Sequence, residues 1–227
     1  MAEESSKALV VTIDGPSGAG KTSVSKLLAQ KLGYRYIDTG ALYRAIALAA
    51  RQQGVSADDE SGLAELCLRL TIDLKSSDSG LRVILDRTDV TDAIREPHIS
   101  MLASAVSAQP VVRSYLLSLQ RALASKKNVV AEGRDMGTVV LPWADAKFFL
   151  DADPRIRAQR RFEELRGHND APDLESVEKD MLLRDKNDST RAVAPLEPAS
   201  DAIRIDSTRL SLQQVVDCML DHIRRIP

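Results

Sequence analysis

Eight consecutive residues near the start of the chain fit the pattern G-x-x-x-x-G-K-[ST], whose glycines, lysine and hydroxyl suit the binding of phosphate groups. Backbone N–H groups can curl around phosphate oxygens only where glycines allow positive φ and close approach. The lysine adds a mobile positive charge, and a hydroxyl can ligate Mg²⁺. The pattern predicts a site for a nucleoside triphosphate, made of Gly15, Pro16, Ser17, Gly18, Ala19, Gly20, Lys21 and Thr22.

The segments on either side of this motif are of the kind that would position it. Residues 8–14 form a short apolar run rich in β-branched side chains, which predicts a buried strand. A helix predicted over 22–32 would direct the positive end of its dipole at the same phosphates. Thr22 and Ser23 both offer a hydroxyl for Mg²⁺. We expect Lys21 to be exposed when no nucleotide is bound.

The remaining chain alternates between strand and helix patterns. A strand, a glycine turn and a helix in succession predict an α/β fold, with a doubly wound parallel sheet and helices on both faces. Thr39 is the predicted N-cap of the second helix and Gly54 its stop. The further strands are predicted at 34–38, 128–131, 146–150 and 202–205. The helices are predicted at 39–53, 63–70, 96–108, 111–126, 154–166, 174–186 and 211–225.

Residues 62–95 depart from this alternation. They contain the short runs TIDLKS, SGLRVILD and TDVTD, separated by turn residues. Alternating short runs of this kind predict a small antiparallel sheet inserted into the α/β pattern. Two loops complete the outline. EGRDMGT is predicted as a polar loop at the carboxyl end of a strand, and HNDAPD as a loop between two helices.

Composition limits the classes of partner. The 227 residues include 31 Lys and Arg against 33 Asp and Glu, so no overall field favours nucleic acid or an anionic membrane. The polar, acidic N-terminus is unlike a signal peptide, and no apolar run approaches the ~18 residues that span a bilayer. Cys67 and Cys218 are expected to be buried thiols in a reducing compartment. We therefore expect a cytoplasmic protein that binds small molecules, with a monomer as the default state.

A phosphotransferase and a triphosphate-hydrolysing switch or motor both use such a motif. The chain has no N-K-x-D string for reading guanine. The run VVAEGRD continues into Arg134, where a motor would need a strand ending in acidic residues for Mg²⁺ and water. An arginine there suits an anionic second substrate, because phosphoryl transfer between phosphates must shield several negative charges. Any single arginine is more often a solvated surface charge, but the cluster RIRAQRR is harder to explain that way.

Four motifs, IDGPSGAGKT, IDTGALYR, EGRDMGT and STRAVAPL, occur in this order over nearly the whole chain. Together they resemble bacterial-type cytidylate kinases, which are P-loop nucleoside monophosphate kinases. The resemblance implies transfer of the γ-phosphoryl group of ATP to CMP or dCMP, giving ADP and CDP or dCDP, with Mg²⁺ accompanying ATP. Two alternatives remain open at this point. One is a kinase of the same fold acting on UMP or another small acceptor, and the other is a nucleotide-binding module without phosphotransfer.

The resemblance also implies roles for individual residues. Cytosine offers an N4 amino donor beside the N3 and O2 acceptors, and the residues implied to bind these groups are Asp135, Ser104 and Arg113. Those implied at the sugar are Arg184, Asp188 and Arg191. Those implied near the acceptor phosphate are Arg44, Arg134, Asp38 and Thr39. The arginines implied to close over ATP are Arg157, Arg160 and Arg161.

The catalytic residues implied are all cations, namely Lys21, Arg134, Arg157 and Arg160. They would neutralise charge while ATP and the acceptor are held in line, without a covalent enzyme intermediate. The implied division of the chain has a core of residues 1–38, 128–153 and 188–227. A monophosphate-binding region with the small β insertion would occupy 39–127, and a helical lid would occupy 154–187.

Overall fold

The computed structural model describes residues 8–77, 80–166 and 172–226. Its strands are β1 (Val10–Asp14), β2 (Arg35–Asp38), β3 (Ile72–Ser77), β4 (Gly80–Leu85), β5 (Thr88–Asp89), β6 (Val129–Gly133), β7 (Ala146–Asp151) and β8 (Ile203–Asp206). Its α-helices are α1 (Lys21–Leu32), α2 (Thr39–Gln52), α3 (Glu60–Arg69), α4 (Pro97–Ser107), α5 (Pro110–Ala124), α6 (Pro154–Leu165), α7 (Leu174–Thr190) and α8 (Leu212–Ile223).

The central sheet has five strands in the order β2-β6-β1-β7-β8. Strand β1 pairs in parallel with both β6 and β7, and β7 pairs in parallel with β8. All five residues of β1 are buried, as expected for a strand that has neighbours on both sides and helices over the sheet. The predicted α/β fold, a parallel sheet flanked by helices, is confirmed.

The chain divides into two compact units, each with its own apolar core. The first unit holds the described residues of Met1–Tyr36, Ala124–Thr190 and Ala194–Pro227, and the second holds those of Ile37–Leu123 and Arg191–Val193. The core of the first unit contains Phe148 of the sheet with Leu28 of α1 and Met219 of α8. The core of the second unit is built largely from helix α2 and the helices packed on it.

The inserted antiparallel sheet lies in the second unit and confirms the sequence prediction. Strand β3 pairs with β4, with Ile72 opposite Leu85, and β4 pairs with the two-residue strand β5. Val83 and Leu85 are buried in the core of this unit, whereas their neighbours along β4 are more exposed. This alternation is the period-two pattern that identified the strand.

Helices α6 and α7 form a pair in the first unit, joined by a small apolar cluster that includes Ala158, Leu165, Val177 and Met181. Pro154 opens α6, as predicted, and the Asp153 side chain caps it by accepting from the N–H of Arg155. The predicted loop HNDAPD (168–173) lies mostly outside the described residues. Within the part of the chain that the structure describes, no helix is both long and apolar enough to cross a membrane.

Three local predictions were wrong. The N-cap of α2 is Asp38, whose carboxylate accepts from the N–H of Ala41, and Thr39 is the first helical residue. The segment expected to be a polar loop ends β6 and then forms a π-helix over Met136–Val140. Both cysteines are free thiols, but only Cys67 is buried and Cys218 is exposed.

Candidate functional site

The loop between β1 and α1 is shaped by three glycines in conformations that other residues adopt only with strain. Gly15, Gly18 and Gly20 have φ values of 147°, 72° and 91°. A Cβ on Gly15 would lie 1.9 Å from the carbonyl oxygen of Leu150, and one on Gly18 would lie 2.7 Å from that of Arg157. Gly20 is the N-cap of α1 and makes no side-chain hydrogen bond there, so the first N–H groups of the helix are not capped by a side chain.

Lys21 is buried, with 8% of its surface exposed, which corrects the expectation that it would be exposed. Its Nζ donates to the carbonyl oxygen of Pro16 at 2.7 Å, so the side chain folds back onto its own loop. Burial lowers the pKa of Lys21 to about 7, and the positive charges of Arg134 and Arg184 add to that lowering. The loop thus gathers positive charge that an anion would stabilise.

The pairing of β1 with β6 places two loops of the first unit side by side. Asp14 lies opposite Gly133, and both strands end there. The Asp14 carboxylate accepts from the N–H groups of Met136 (2.8 Å) and Gly137 (2.7 Å), at the start of the π-helix. Burial raises the pKa of Asp14 to about 6, against the opposing effect of these two donors. Asp14 therefore fastens the EGRDMGT segment to the strand that carries the phosphate loop.

Arg134 and Asp135 leave β6 at this junction. Arg134 Nε donates to Asp188 Oδ2 at 2.9 Å, and Asp188 lies buried in the last turn of α7. Asp135 is 4% exposed and is the N-cap residue of the π-helix. Arg184 is half-buried one turn earlier in α7, close enough to Lys21 to lower its pKa. The structure thus brings four of the predicted site residues together in the first unit.

The predicted lid arginines of α6 differ in their surroundings. Arg157 is 5% exposed, and its guanidinium donates to the carbonyl oxygens of Ala152 and Ser17, each at 3.0 Å, and to the Asp185 carboxylate. Arg161 pairs with Glu164 on the outer face of the same helix, at 2.9 Å. Arg157 therefore ties α6 to the phosphate loop and to α7, whereas Arg161 makes a surface ion pair.

Arg160 is bound by neutral partners, unlike Arg157 and Arg161, which pair with carboxylates. Its Nη1 donates to Ser207 Oγ at 3.1 Å, and its Nη2 donates to the carbonyl oxygen of Ser207 at 2.8 Å. The same Nη1 is the nearest atom that a Cβ on Gly20 would meet, at 4.0 Å. Arg160 is therefore positioned at the mouth of the phosphate loop, with its guanidinium fixed at two points.

In the second unit, Asp38 and Arg44 form an ion pair at the start of α2. Arg44 Nη2 donates to Asp38 Oδ2 at 2.8 Å, while Asp38 Oδ1 accepts from the N–H of Ala41 at 3.0 Å. Thr39, the next residue, is buried. Three predicted site residues are therefore adjacent here, and the capping aspartate orients the arginine.

The other cluster in the second unit joins α4, α5 and α2. The side chain of Arg113 is buried, donates to the carbonyl oxygen of Ser107 at 3.1 Å and lies 5.6 Å above the ring centre of Tyr43. Ser107 Oγ in turn donates to the carbonyl oxygen of Ser104 at 2.8 Å. Ser104 and Arg113 are thus linked through the end of α4. Arg191, also of the second unit, is half-buried.

Residues 11–225 match the family described as cytidylate kinase. The chain belongs to the cytidylate kinase family. A cytidylate kinase from Geobacter sulfurreducens is 49% identical over 218 residues, which cover 96% of this chain and 94% of that protein. A cytidylate kinase from Pseudomonas syringae pv. tomato is 48% identical over 219 residues, covering 96% of both chains.

A solved structure of a gluconokinase from Sinorhizobium meliloti resembles the fold of this family member. It has a TM-score of 0.50 with 16% sequence identity and covers 96% of this chain and 93% of that one. At this identity the likeness is one of fold. It agrees with the parallel sheet flanked by helices that this chain forms.

Sequence reasoning missed two polar residues of the first unit that contact site residues or alter their charge. Ser207, 3% exposed, links Arg160 to the phosphate loop by donating to the carbonyl oxygen of Ala19 at 3.1 Å. Glu132 accepts a hydrogen bond from the Tyr36 hydroxyl, and its charge opposes the lowering of the Lys21 pKa. Glu132 could have been found from its position at the end of a strand. No sequence signal marks Ser207, because it lies 188 residues from its partner.

Proposed function

We propose that this protein transfers the γ-phosphoryl group of ATP to CMP or dCMP, forming ADP and CDP or dCDP. The observation that carries the proposal is membership of the cytidylate kinase family over residues 11–225, with the phosphate loop intact in sequence and conformation. The family supports the acceptor and the reaction. The loop supports ATP as the donor, because Gly20, the N-cap of α1, has no side chain to cap the first backbone N–H groups of the helix.

The chain's own cations supply the charge neutralisation that phosphoryl transfer requires. Burial among Arg134 and Arg184 makes the ammonium group of Lys21 costly without an anion, so a bound polyphosphate would stabilise its charged form. We assign Lys21 to the transferring phosphoryl group. Arg160, at the mouth of the loop, is assigned to neutralise the negative charge of the same group. The acceptor phosphate is already an anionic nucleophile near neutral pH, so no strong general base is needed.

The residues beside the loop fit Mg²⁺ bound with ATP. Thr22 and Ser23 are both exposed in the first turn of α1, and that turn contains no acidic side chain to compete with a nucleotide. A hydroxyl oxygen next to phosphate oxygens is a donor set that suits this hard cation. Thr22 or Ser23 would hold the ion, which would supply further positive charge to stabilise the charge that develops during phosphoryl transfer. Asp14 is assigned no place at the ion, since both of its carboxylate oxygens accept backbone N–H groups.

For the acceptor, we assign Asp135 to the N4 amino group of cytosine, and Ser104 and Arg113 to N3 and O2. The sugar is assigned to Arg184, Asp188 and Arg191. The phosphate is assigned to Arg44 and Arg134, with Asp38 and Thr39 nearby. These assignments are supported by the burial of the side chains and by the contacts that hold them in place. Asp135 is almost fully buried, and Arg113 is held by the Ser107 carbonyl and the Tyr43 ring.

The lid arginines Arg157, Arg160 and Arg161 are assigned to closure over ATP. The division into a core (1–38, 128–153, 188–227), a monophosphate-binding region (39–127) and a lid (154–187) stays a prediction. A monomeric state, a cytoplasmic location and the absence of a nucleic-acid partner also stay predictions, and the last of these rests on the balanced charge.

A coupled assay that follows ADP release tests the proposed function. The protein would be supplied with ATP, Mg²⁺ and, in turn, CMP, dCMP, UMP, AMP or GMP. We expect kcat/KM to be highest with CMP or dCMP and to exceed that with UMP by about a hundredfold or more, since two base hydrogen bonds distinguish cytosine from uracil. A preference for UMP would indicate a kinase with another acceptor. ATP binding without turnover on any acceptor would indicate a nucleotide-binding module.

A further inference from the structure

The residue that follows β8 contacts both the phosphate loop and the helix that carries the lid arginines. Ser207 is buried in the first unit, and its N–H donates to the carbonyl oxygen of Asp151, at the end of the neighbouring strand β7. This bond continues the parallel pairing of β7 with β8 by one residue. The backbone of Ser207 is therefore held by the sheet, which makes it a rigid point from which its side chain can act.

The hydrogen bonds of Ser207 can be assigned without ambiguity. Its Oγ lies 3.1 Å from the carbonyl oxygen of Ala19 and 3.1 Å from Arg160 Nη1. A carbonyl can only accept and a guanidinium can only donate, so the hydroxyl donates to Ala19 and accepts from Arg160. Arg160 Nη2 also donates to the Ser207 carbonyl oxygen at 2.8 Å. Three hydrogen bonds therefore join Ser207 to Ala19 and Arg160.

The bond to Ala19 has a consequence for the next peptide group. No cis peptide bond occurs in the described chain, and in a trans peptide the C=O and the following N–H point in opposite directions. Because the Ala19 carbonyl is directed at Ser207, the Gly20 N–H is directed away from it. Gly20 is the N-cap of α1, and a Cβ built on it would have Arg160 Nη1 as its nearest neighbour, at 4.0 Å. In the proposed ATP site, a phosphate oxygen is the acceptor for this N–H.

We infer that Ser207 is a positioning residue for ATP, acting through the Ala19–Gly20 peptide and through Arg160. This inference rests on the proposed function, since it takes ATP as the ligand of the loop. One hydroxyl fixes the direction of a backbone donor and holds the arginine that faces the same phosphates. Removing it leaves the Ala19 carbonyl and Arg160 Nη1 without that partner and lets both rotate.

The test compares Ser207→Ala with Ser211→Ala. Both replace a serine of the segment between β8 and α8, but Ser211 caps α8 by accepting from the N–H of Gln214. We expect Ser207→Ala to weaken ATP binding, measured by calorimetry, and to raise KM for ATP by about tenfold, the effect of one lost hydrogen bond to a charged partner. KM for CMP should change by less than about twofold on the same scale. Ser211→Ala should lower Tm and leave both constants unchanged.

A second pair of variants separates positioning from general stability. Ser207→Cys keeps the shape of the side chain with a slightly larger atom and offers a weaker donor, so it should lose ATP affinity in the same direction while it stays folded. Ser207→Ala and Arg160→Ala should also be combined. The double variant should lose less ATP affinity than the sum of the losses in the two single variants, because the two residues are in contact.

The inference is overturned if Ser207→Ala and Ser207→Cys bind ATP as tightly as the wild type, whatever their Tm. It is also overturned if KM for CMP rises together with KM for ATP, because the hydroxyl would then support the whole site. If the wild type binds ATP but phosphorylates no monophosphate, the proposed function fails while the calorimetric comparison still decides the role of Ser207.

Discussion

Arg134 Nε and Asp188 Oδ2 are 2.9 Å apart and join the end of β6 to the last turn of α7. Asp188 is buried while the arginine is partly exposed, so the carboxylate fixes the guanidinium more than the reverse. An arginine held in this way is preorganised for an anionic acceptor, which lowers the cost of ordering it on binding. Arg134 was assigned to the phosphate of CMP and Asp188 to its sugar, yet in the structure the two side chains form one ion pair.

Asp188→Asn should therefore impair handling of the acceptor phosphate, even though the assignment places Asp188 at the sugar. We expect KM for CMP to rise by about tenfold, since one charge-assisted bond that orients Arg134 is lost. KM for ATP should stay near the wild-type value. Steady-state kinetics with each substrate varied in turn measures both constants.

Asp221→Asn is the matched control, because Asp221 pairs with Arg224 at 3.1 Å on the exposed face of α8. Exposed pairs of this kind contribute about 0–1 kcal/mol, so neither KM nor Tm should change measurably. Equal KM values for CMP in Asp188→Asn and in the wild type would show that the ion pair does not orient Arg134 for the substrate.

Lys21→Met should abolish turnover without loss of the fold. The ammonium group is assigned to the transferring phosphoryl group, and its loss should lower kcat by about a thousandfold or more. Methionine keeps most of the side-chain volume at this buried position and removes a charge whose burial is unfavourable. We therefore expect Tm without nucleotide to equal or exceed that of the wild type. Retention of more than about a tenth of wild-type kcat would contradict the role of Lys21.

The strands of the sheet could be predicted from sequence because burial on both sides demands continuous apolar runs. Strands β1 and β7 were placed to within two residues at each end for this reason. The end of α7 could not be placed in the same way. Ser189 and Thr190 look like loop residues, but the helix continues to Thr190, four residues beyond the prediction, and both hydroxyls donate to the carbonyl oxygen of Lys186 instead of leaving the helix.

At the site, the phosphate loop could be predicted because its chemistry is encoded in eight adjacent residues. The burial of Lys21 could not, since it depends on the side chain folding back onto Pro16. Nor could the role of Asp14, whose partners Met136 and Gly137 are more than a hundred residues away. The exposure of Cys218 follows from α8 burying the face that carries Val215 and Met219, a periodicity that was available in the sequence.

Two of the three lid arginines, Arg157 and Arg160, should respond differently to substitution. Arg157→Ala leaves Asp185 without its buried partner and frees the Ser17 carbonyl, so we expect a drop in stability of about 3 kcal/mol together with a lower kcat. Arg160→Ala should lower kcat with little change in Tm, because its partner is a neutral serine. Thermal unfolding and kinetics on both variants test this contrast. Collapse of CMP affinity with unchanged kcat would mean that the lid and the acceptor site have been exchanged.

The acid limb of stability should contain a contribution from Asp201. Its carboxylate accepts from Lys147, a buried amine of β7, and this bond lowers the pKa of Asp201 below its usual range. A lowered carboxyl pKa stabilises the folded protein above the unfolded pKa, and that contribution is lost as pH falls through the folded value. Asp201→Asn should thus be less stable near neutral pH, by under about 1 kcal/mol because Asp201 is mostly exposed.

The comparison is made by denaturant titration of Asp201→Asn and the wild type at neutral pH and below pH 4. The difference in the free energy of unfolding between the two proteins should become smaller in acid. The Asp201 carboxylate of the wild type is then protonated and no longer carries the charge that the variant lacks. A gap that is constant with pH would show that the ion pair does not contribute through ionisation.

Asp135→Asn tests whether Asp135 recognises the cytosine base. The carboxylate is nearly fully buried and is assigned to accept from the N4 amino group of cytosine. UMP presents an O4 acceptor there, so the wild type should reject it by leaving two acceptors facing each other in a dry pocket, at ~1–3 kcal/mol. The N3 position of UMP is a donor, which also opposes donors from Ser104 and Arg113. Together these mismatches favour CMP by about a hundredfold or more in kcat/KM.

The asparagine amide can turn its N–H₂ toward O4 of uracil, so the variant should narrow this gap, mainly by losing activity on CMP. Measuring kcat/KM for CMP and UMP in the wild type and the variant gives four values, whose ratio isolates the base from any general loss of activity. A variant that keeps the wild-type ratio while losing rate on both substrates would remove Asp135 from base recognition.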